Sequence, residues 1–178
     1  YPNTIRMVRV TGKDVKEWLE RSAGQFNQID VNSSAQQNLL DTTFPSFNFD
    51  IIDGVTFEID VTQAKRYDND GNLVNAESSR ITNLQYQGEA IDLEAEFLIV
   101  TNNYRSSGGG NFPAIDGTSR ETFEGPDENR GVLRSYIISE AAKSSTGSID
   151  PSADNNWRFS TVTTITELNV VFRTSPLD

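Results

Sequence analysis

The chain has 178 residues, 26 of them acidic and 15 basic, a formal charge of −11, and neither histidine nor cysteine. That length supports one sizeable core, the acidic balance argues against a groove that tracks polymeric DNA or RNA, and no apolar run is long enough to span a bilayer. Without histidine or cysteine the usual neutral-pH base, the disulfide framework and the commonest transition-metal ligands are missing, so binding is favoured over chemistry of the chain's own.

Tyr1-Pro2-Asn3 opens the sequence with neither Met nor an export signal ahead of it, which reads as a cut through a longer protein. Ile5, Met7, Val8 and Val10 predict a strand. Thr11-Gly12-Lys13-Asp14 is a capping-box pattern, and Val15, Trp18, Leu19, Ala23 and Phe26 behind it recur at helical spacing, with Trp18 as a core anchor. Residues 30–41 are polar and aperiodic, a surface excursion. Val55, Phe57, Ile59 and Val61 alternate with Thr56, Glu58 and Asp60, the pattern of a strand with one wet face. In the stretch Asp68-Asn69-Asp70-Gly71-Asn72, Asp68, Asp70, Gly71 and Glu77 fall at EF-hand spacing. Arg66 stands where the first carboxylate should be, and strands flank the segment, so a tight reversal is expected rather than a calcium loop. Leu84 and Tyr86 mark a further strand, followed by a turn at Gln87-Gly88-Glu89.

Phe97 to Val100 do not alternate with polar residues, which predicts a strand covered on both faces and central to its sheet. Tyr104 follows with a ring free to present a flat face, and Gly108, Gly109 and Gly110 remove three side chains beside it. A flat aromatic next to bare amides is a seat for a planar, polar small molecule. The spacing does not match a dinucleotide or P-loop fingerprint, each of which needs a helix directly after it. Gly125-Pro126-Asp127 punctuates the chain and offers Asp127 as a helix cap, and Val132, Leu133, Tyr136, Ile137 and Ala141 then predict an amphipathic helix. An exposed connection over residues 143–154 leads to at least one more strand between Trp157 and Arg173, where Leu168, Val170 and Phe172 alternate.

The runs TGKDVKEWLERSAGQFNQIDVN, FNFDIIDGVTFEIDVTQAKRYD, FLIVTNNYRSSGGGNFP, PDENRGVL and ADNNWRF resemble, in order and over nearly the whole chain, the C-terminal domain of bacterial 2′,3′-cyclic-nucleotide 2′-phosphodiesterase/3′-nucleotidases. Those enzymes belong to the 5′-nucleotidase superfamily. The resemblance implies an α+β fold with mixed or antiparallel sheets and at least two packed helices, with residues 1–178 forming one substrate-binding domain of a longer two-domain enzyme. It implies that two divalent metal ions sit in an N-terminal metallophosphoesterase domain that performs the hydrolysis, and that this part alone holds no metal and is inactive. It also implies nucleosides, 3′-nucleotides and 2′,3′-cyclic nucleotides as ligands, and export to the periplasm or cell surface.

Carried across by motif, Tyr104 becomes one face of an aromatic clamp on the base and Tyr1 the other, and Asn3 becomes a hydrogen-bonding partner of the base edge. Gly108 and Gly109 pass close to ribose or base, and Asn111 becomes a sugar contact. Arg105, beside the clamp, is open to pairing with an acidic side chain instead of a ligand. Two other readings stand alongside: a carbohydrate- or surface-binding module of an exported protein, and a hydrolase driven by a carboxylate pair such as Asp50 and Asp53.

Overall fold

The computed structural model describes residues 2–115, 117, 120–164 and 167–174. In chain order its elements are β1 (Thr4–Thr11), α1 (Gly12–Ser22), β2 (Gln37–Asn38), β3 (Val55–Ile59), β4 (Ile81–Tyr86), β5 (Glu89–Ala90) and β6 (Glu96–Asn102). There follow α2 (Asn103–Ser106), β7 (Glu121–Glu128), α3 (Asn129–Lys143), β8 (Trp157–Phe159) and β9 (Val170–Val171). One sheet is antiparallel, in the order β6-β1-β7. A second, in the order β5-β4-β3-β8, is mixed because β8 runs parallel to β3, and β2 pairs with β9 in a short parallel ribbon. The expected α+β class with mixed and antiparallel sheets is the class observed.

The capping box sets the start of α1. Thr11 Oγ1 accepts from the Asp14 amide at 3.2 Å while the Asp14 carboxylate accepts from the Thr11 amide at 2.9 Å, so two orphan donors of the first turn are satisfied reciprocally. The apolar stripe that follows buries Val15, Trp18 and Leu19 in one core with Val8 and Val10 of β1, Val55, Phe57 and Ile59 of β3, and Ile81 and Leu84 of β4. The helix therefore joins the two sheets. Trp157 packs edge-on to Phe49 and Phe159 at the end of that core, with Phe26 also edge-on to both of these.

Three expectations are corrected. The strand of Phe97 to Val100 lies at an edge, with β1 in the centre, and Leu98 and Val100 are 56% and 63% exposed. An unbroken apolar run shows that both faces are apolar, not that this chain covers both. Asp127 does not cap a helix: it lies inside β7, and α3 begins after Glu128 without a side-chain cap. Pro126 is tolerated there because β7 is the other edge of its sheet. The helix predicted from Val132 to Ala141 forms, but it buries none of its residues among those described.

A buried carboxylate on α1 and a buried guanidinium immediately before β4 lock the helix to the second sheet, each through bonds to the main chain. The Glu20 carboxylate, 2% exposed, accepts from the backbone amides of Arg80 (2.9 Å) and Ile81 (3.0 Å) and from Ser79 Oγ (2.8 Å). Arg80, fully buried, donates to the carbonyls of Ala23, Phe26 and Gln63, and its burial pulls the guanidinium pKa down to about 10. Removing the carboxylate strands two buried amides and takes away one of the two acidic groups, Glu20 and Asp60, that offset the charge of Arg80. Glu20→Ala should lower the unfolding free energy by about 3 kcal/mol in urea denaturation, and a loss below about 1 kcal/mol would contradict this role.

Candidate functional site

β6 passes directly into the short turn α2, and asparagines from both sides of the sheet end fix that junction. Asn102 Oδ1 caps the turn by accepting from the Arg105 amide at 2.8 Å. Asn103 Oδ1 accepts from the Thr4 amide at 3.0 Å, which ties the start of β1 to the turn carrying Tyr104. The Asn3 carbonyl in turn accepts from the Asn129 amide at 2.8 Å, so the segment is anchored on both sides. Asn3 and Tyr104 thus lie at the same end of the antiparallel sheet. Tyr1 lies outside the described residues.

Tyr104 is 45% exposed. Its ring lies where a side chain on Gly109 would have to go: a Cβ there would sit 2.6 Å from Tyr104 Cζ and 2.7 Å from Cε1. One flank of the ring rests on bare backbone while much of the residue stays open. The loop curls back beneath it, with the Gly109 amide donating to the Tyr104 carbonyl at 2.9 Å and the Gly108 amide to the Arg105 carbonyl at 3.0 Å. Gly108 and Gly110 adopt φ of 87° and 84°, a region that favours glycine. Asn111 donates through Nδ2 to the Asp70 carbonyl at 2.8 Å, leaving Oδ1 as the side-chain atom able to take a ligand hydroxyl.

Below the loop lies a network that the residue pattern only hints at. Arg105 is only 4% exposed and pairs with Asp50 as a fork, Nε to Oδ2 and Nη2 to Oδ1, both at 2.8 Å. Trp18 Nε1 donates to the same Oδ2 at 2.9 Å. Asp50 is therefore a structural acceptor with both oxygens engaged, which removes the Asp50–Asp53 pair as a free catalytic couple. The sequence does hold a clue, since Asp50 sits between Phe49 and Ile51 and a carboxylate in apolar company usually has a buried cation beside it. A hollow of about 640 Å³ opens between this segment and β6, lined by Trp18, Asp50, Asp53, Val100 and Arg105 but not by Tyr104.

The Asp68–Asn72 segment is the tight reversal expected. Asp68 Oδ1 accepts from the amides of Asp70 (2.9 Å) and Asn72 (2.8 Å), and its Oδ2 accepts from Asn72 Nδ2 at 2.9 Å. The carboxylate is turned onto its own loop, and those bonds, led by Asn72, hold its pKa below the usual range. Among the described residues no group of three or more His, Cys, Asp or Glu side chains is placed to hold a metal ion. Two divalent ions do not fit this donor set.

Glu17 on α1 fastens the residues that lead into that reversal. It takes Arg66 Nε and Nη2 at 2.8 and 3.0 Å and the Tyr67 hydroxyl at 2.5 Å. Burial pushes the Glu17 carboxyl up, but the bonds from Arg66 and Tyr67 outweigh it and leave it below its ordinary value. Burial, with the Glu17 carboxylate beside it, pushes the Tyr67 phenol up to about 12. A depressed carboxylate contributes stability that is fully present above its unfolded pKa, about 4.3, and is lost as pH falls through the lower folded value. Thermal midpoints should therefore fall on acidification below about pH 4, and fall less steeply in Glu17→Gln; parallel curves for the two proteins would contradict the linkage.

Residues 1–117 match the family described as the C-terminal domain of 5′-nucleotidase. The chain is 49% identical over 179 residues to a 2′,3′-cyclic-nucleotide 2′-phosphodiesterase/3′-nucleotidase of Salmonella typhimurium, covering 100% of this chain and 27% of that protein. It is 51% identical over 177 residues to the protein of the same name in Yersinia enterocolitica, covering 99% and 26%. With the trifunctional nucleotide phosphoesterase protein YfkN of Bacillus subtilis it shares 48% identity over 178 residues, 99% of this chain and 11% of that one. The chain thus spans about a quarter or less of the length of these curated relatives. Among solved structures, a protein described as a 5′-nucleotidase from Staphylococcus aureus superposes with a TM-score of 0.62 at 26% identity, over 89% of this chain and 28% of that one. A 5′-nucleotidase precursor from Thermus thermophilus shares the fold, with a TM-score of 0.58 at 16% identity over 90% and 26%. The chain belongs to the 5′-nucleotidase C-terminal domain family.

Proposed function

We propose that residues 1–178 act as the substrate-binding domain of a longer phosphoesterase and seat the nucleoside end of 3′-nucleotides and 2′,3′-cyclic nucleotides. The observation that carries this reading is the half-open Tyr104 ring, backed by Gly109 and set at the same end of the sheet as Asn3. A ring whose flank is supported by backbone can offer its free face to a base without reorganising. Tyr1, two residues before Asn3, supplies the opposite face of the clamp, and Asn3 reads the base edge. Gly108 and Gly109 let the sugar approach the loop, and Asn111 Oδ1 accepts from a sugar hydroxyl.

Hydrolysis is assigned to the part of the longer polypeptide outside these residues, a reading supported by the fact that this chain spans only about a quarter of the length of relatives named as phosphoesterases. The activities for which the relatives are named, phosphodiesterase and 3′-nucleotidase, come to this chain on the strength of its identity to them. An exported, periplasmic setting belongs to the same proposal. Stacking contributes about 1–3 kcal/mol per base. Two faces, not strictly additive, give an isolated clamp of about millimolar affinity. Stacking accepts any base, so discrimination among A, G, C and U should be slight.

In the full-length enzyme, Tyr104→Ala should raise the KM for 3′-AMP by about tenfold and leave kcat within about twofold, the pattern of lost uniform binding. Tyr104→Trp should retain affinity. Gly109→Ala should raise KM as well, because its Cβ would meet the Tyr104 ring and displace it. Steady-state kinetics check all three, and an unchanged KM in Tyr104→Ala would overturn the clamp.

A further inference from the structure

The neighbour of Tyr104 in sequence holds the seat together without facing it. All three guanidinium nitrogens of Arg105 are engaged inside the protein. Nε and Nη2 form the fork on Asp50, Nη2 also donates to the Phe47 carbonyl at 3.1 Å, and Nη1 donates to Asn48 Oδ1 at 3.1 Å and to the Gly109 carbonyl at 2.5 Å. Its carbon Cζ lies 4.1 Å from the centre of the Phe112 ring and 5.6 Å from that of Tyr104. One buried cation therefore touches the aromatic, the glycine under the aromatic and the residue that closes the loop. Gly110 adds a steric lock, since a Cβ there would run into Arg105 Nη1 and Asn48 Oδ1. A second buried guanidinium, that of Arg21, reaches the same loop from α1, with Nη2 donating to the Gly110 carbonyl at 3.3 Å and to the Asn69 carbonyl at 2.9 Å.

We propose that Arg105 is a positioning residue for base recognition: held by Asp50, which Trp18 braces, it fixes the Gly109 carbonyl and the Tyr104 ring in the binding pose before substrate arrives. The inference rests on the clamp proposed above and goes beyond it, because Arg105 has no donor left for a ligand and acts only through Tyr104 and the loop. Presetting the ring removes the cost of ordering it on binding. Lysine cannot substitute, since a point charge with three donors does not reproduce a planar fork spanning a carboxylate and three further acceptors.

The test compares wild type, Arg105→Lys, Asp50→Asn, Tyr104→Ala and the double variant Arg105→Lys/Tyr104→Ala in the full-length enzyme. Steady-state kinetics with 3′-AMP and inhibition by adenosine and by inorganic phosphate are measured on protein that still melts cooperatively. Arg105→Lys should raise both the KM for 3′-AMP and the Ki for adenosine by about tenfold, with kcat and the Ki for phosphate within about twofold. Once Tyr104 is alanine, adding Arg105→Lys should cost nothing further, because the two act as one unit. Should Arg105→Lys fail to fold, Asp50→Asn, which keeps the shape and weakens the fork, is expected to show the same split. Flat values in Arg105→Lys beside a raised KM in Tyr104→Ala would overturn the positioning role and leave the clamp standing. Equal losses for adenosine and phosphate would show a general structural role and overturn it too. Flat values in Tyr104→Ala would remove the clamp and this inference with it.

Discussion

The fork between Arg105 and Asp50 is the interaction on which the candidate site depends. Burying a cation costs several kcal/mol unless a counter-charge and hydrogen bonds meet it, and these partners come from separate parts of the chain. Asp50 and the Phe47 carbonyl come from the connection before β3, Gly109 from the loop after α2, and Trp18, which braces Asp50, from the middle of α1. The need to satisfy one guanidinium thus fixes where three segments meet, and the Tyr104 ring is set at that point. The setting of the Tyr104 ring at the surface is a consequence of charge neutralisation below it.

The same economy appears one layer out. The Asp68–Asn72 reversal is closed on itself by Asp68, held to α1 through Glu17 and to the glycine loop through Asn111. A segment with the composition of a calcium loop serves instead as a brace. Asp68 and Glu17 carry depressed pKa values because each has a defined local donor, so the domain's acidity is used for internal order as well as surface charge.

Legibility in the sequence divides along physical lines. The capping box at Thr11, the alternation from Val55 to Val61 and the turn at Gln87-Gly88 depend on local chemistry, and each lies where residue pattern places it. Tyr104 and its glycines are visible in the sequence as an aromatic followed by bare backbone, but Gly-rich turns after strands are common, and it is the family resemblance that gives the pattern a meaning. The ion pair beneath them is harder to see, since pairing across 55 residues depends on how α1 draws the two sheets together. Strand position at Phe97 to Val100 escapes the sequence for a related reason. Apolar residues report a need for cover and say nothing of what provides it, and Leu98, Val100, Leu133 and Tyr136 remain exposed in this chain. Pro126 and Asp127 resemble helix punctuation because an edge strand tolerates the residues that end helices.

The most direct measurement is a crystal structure of the full-length protein with adenosine bound. The adenine ring should lie parallel to Tyr104 on its open face at about 3.5 Å, with Gly109 behind the phenol and the Arg105 guanidinium still on Asp50, out of reach of the ligand. Adenine bound in the hollow beside Asp50 and Asp53 with Tyr104 untouched, or Arg105 swung out to meet it, would contradict the recognition role of the tyrosine and the supporting role of the cation that holds it.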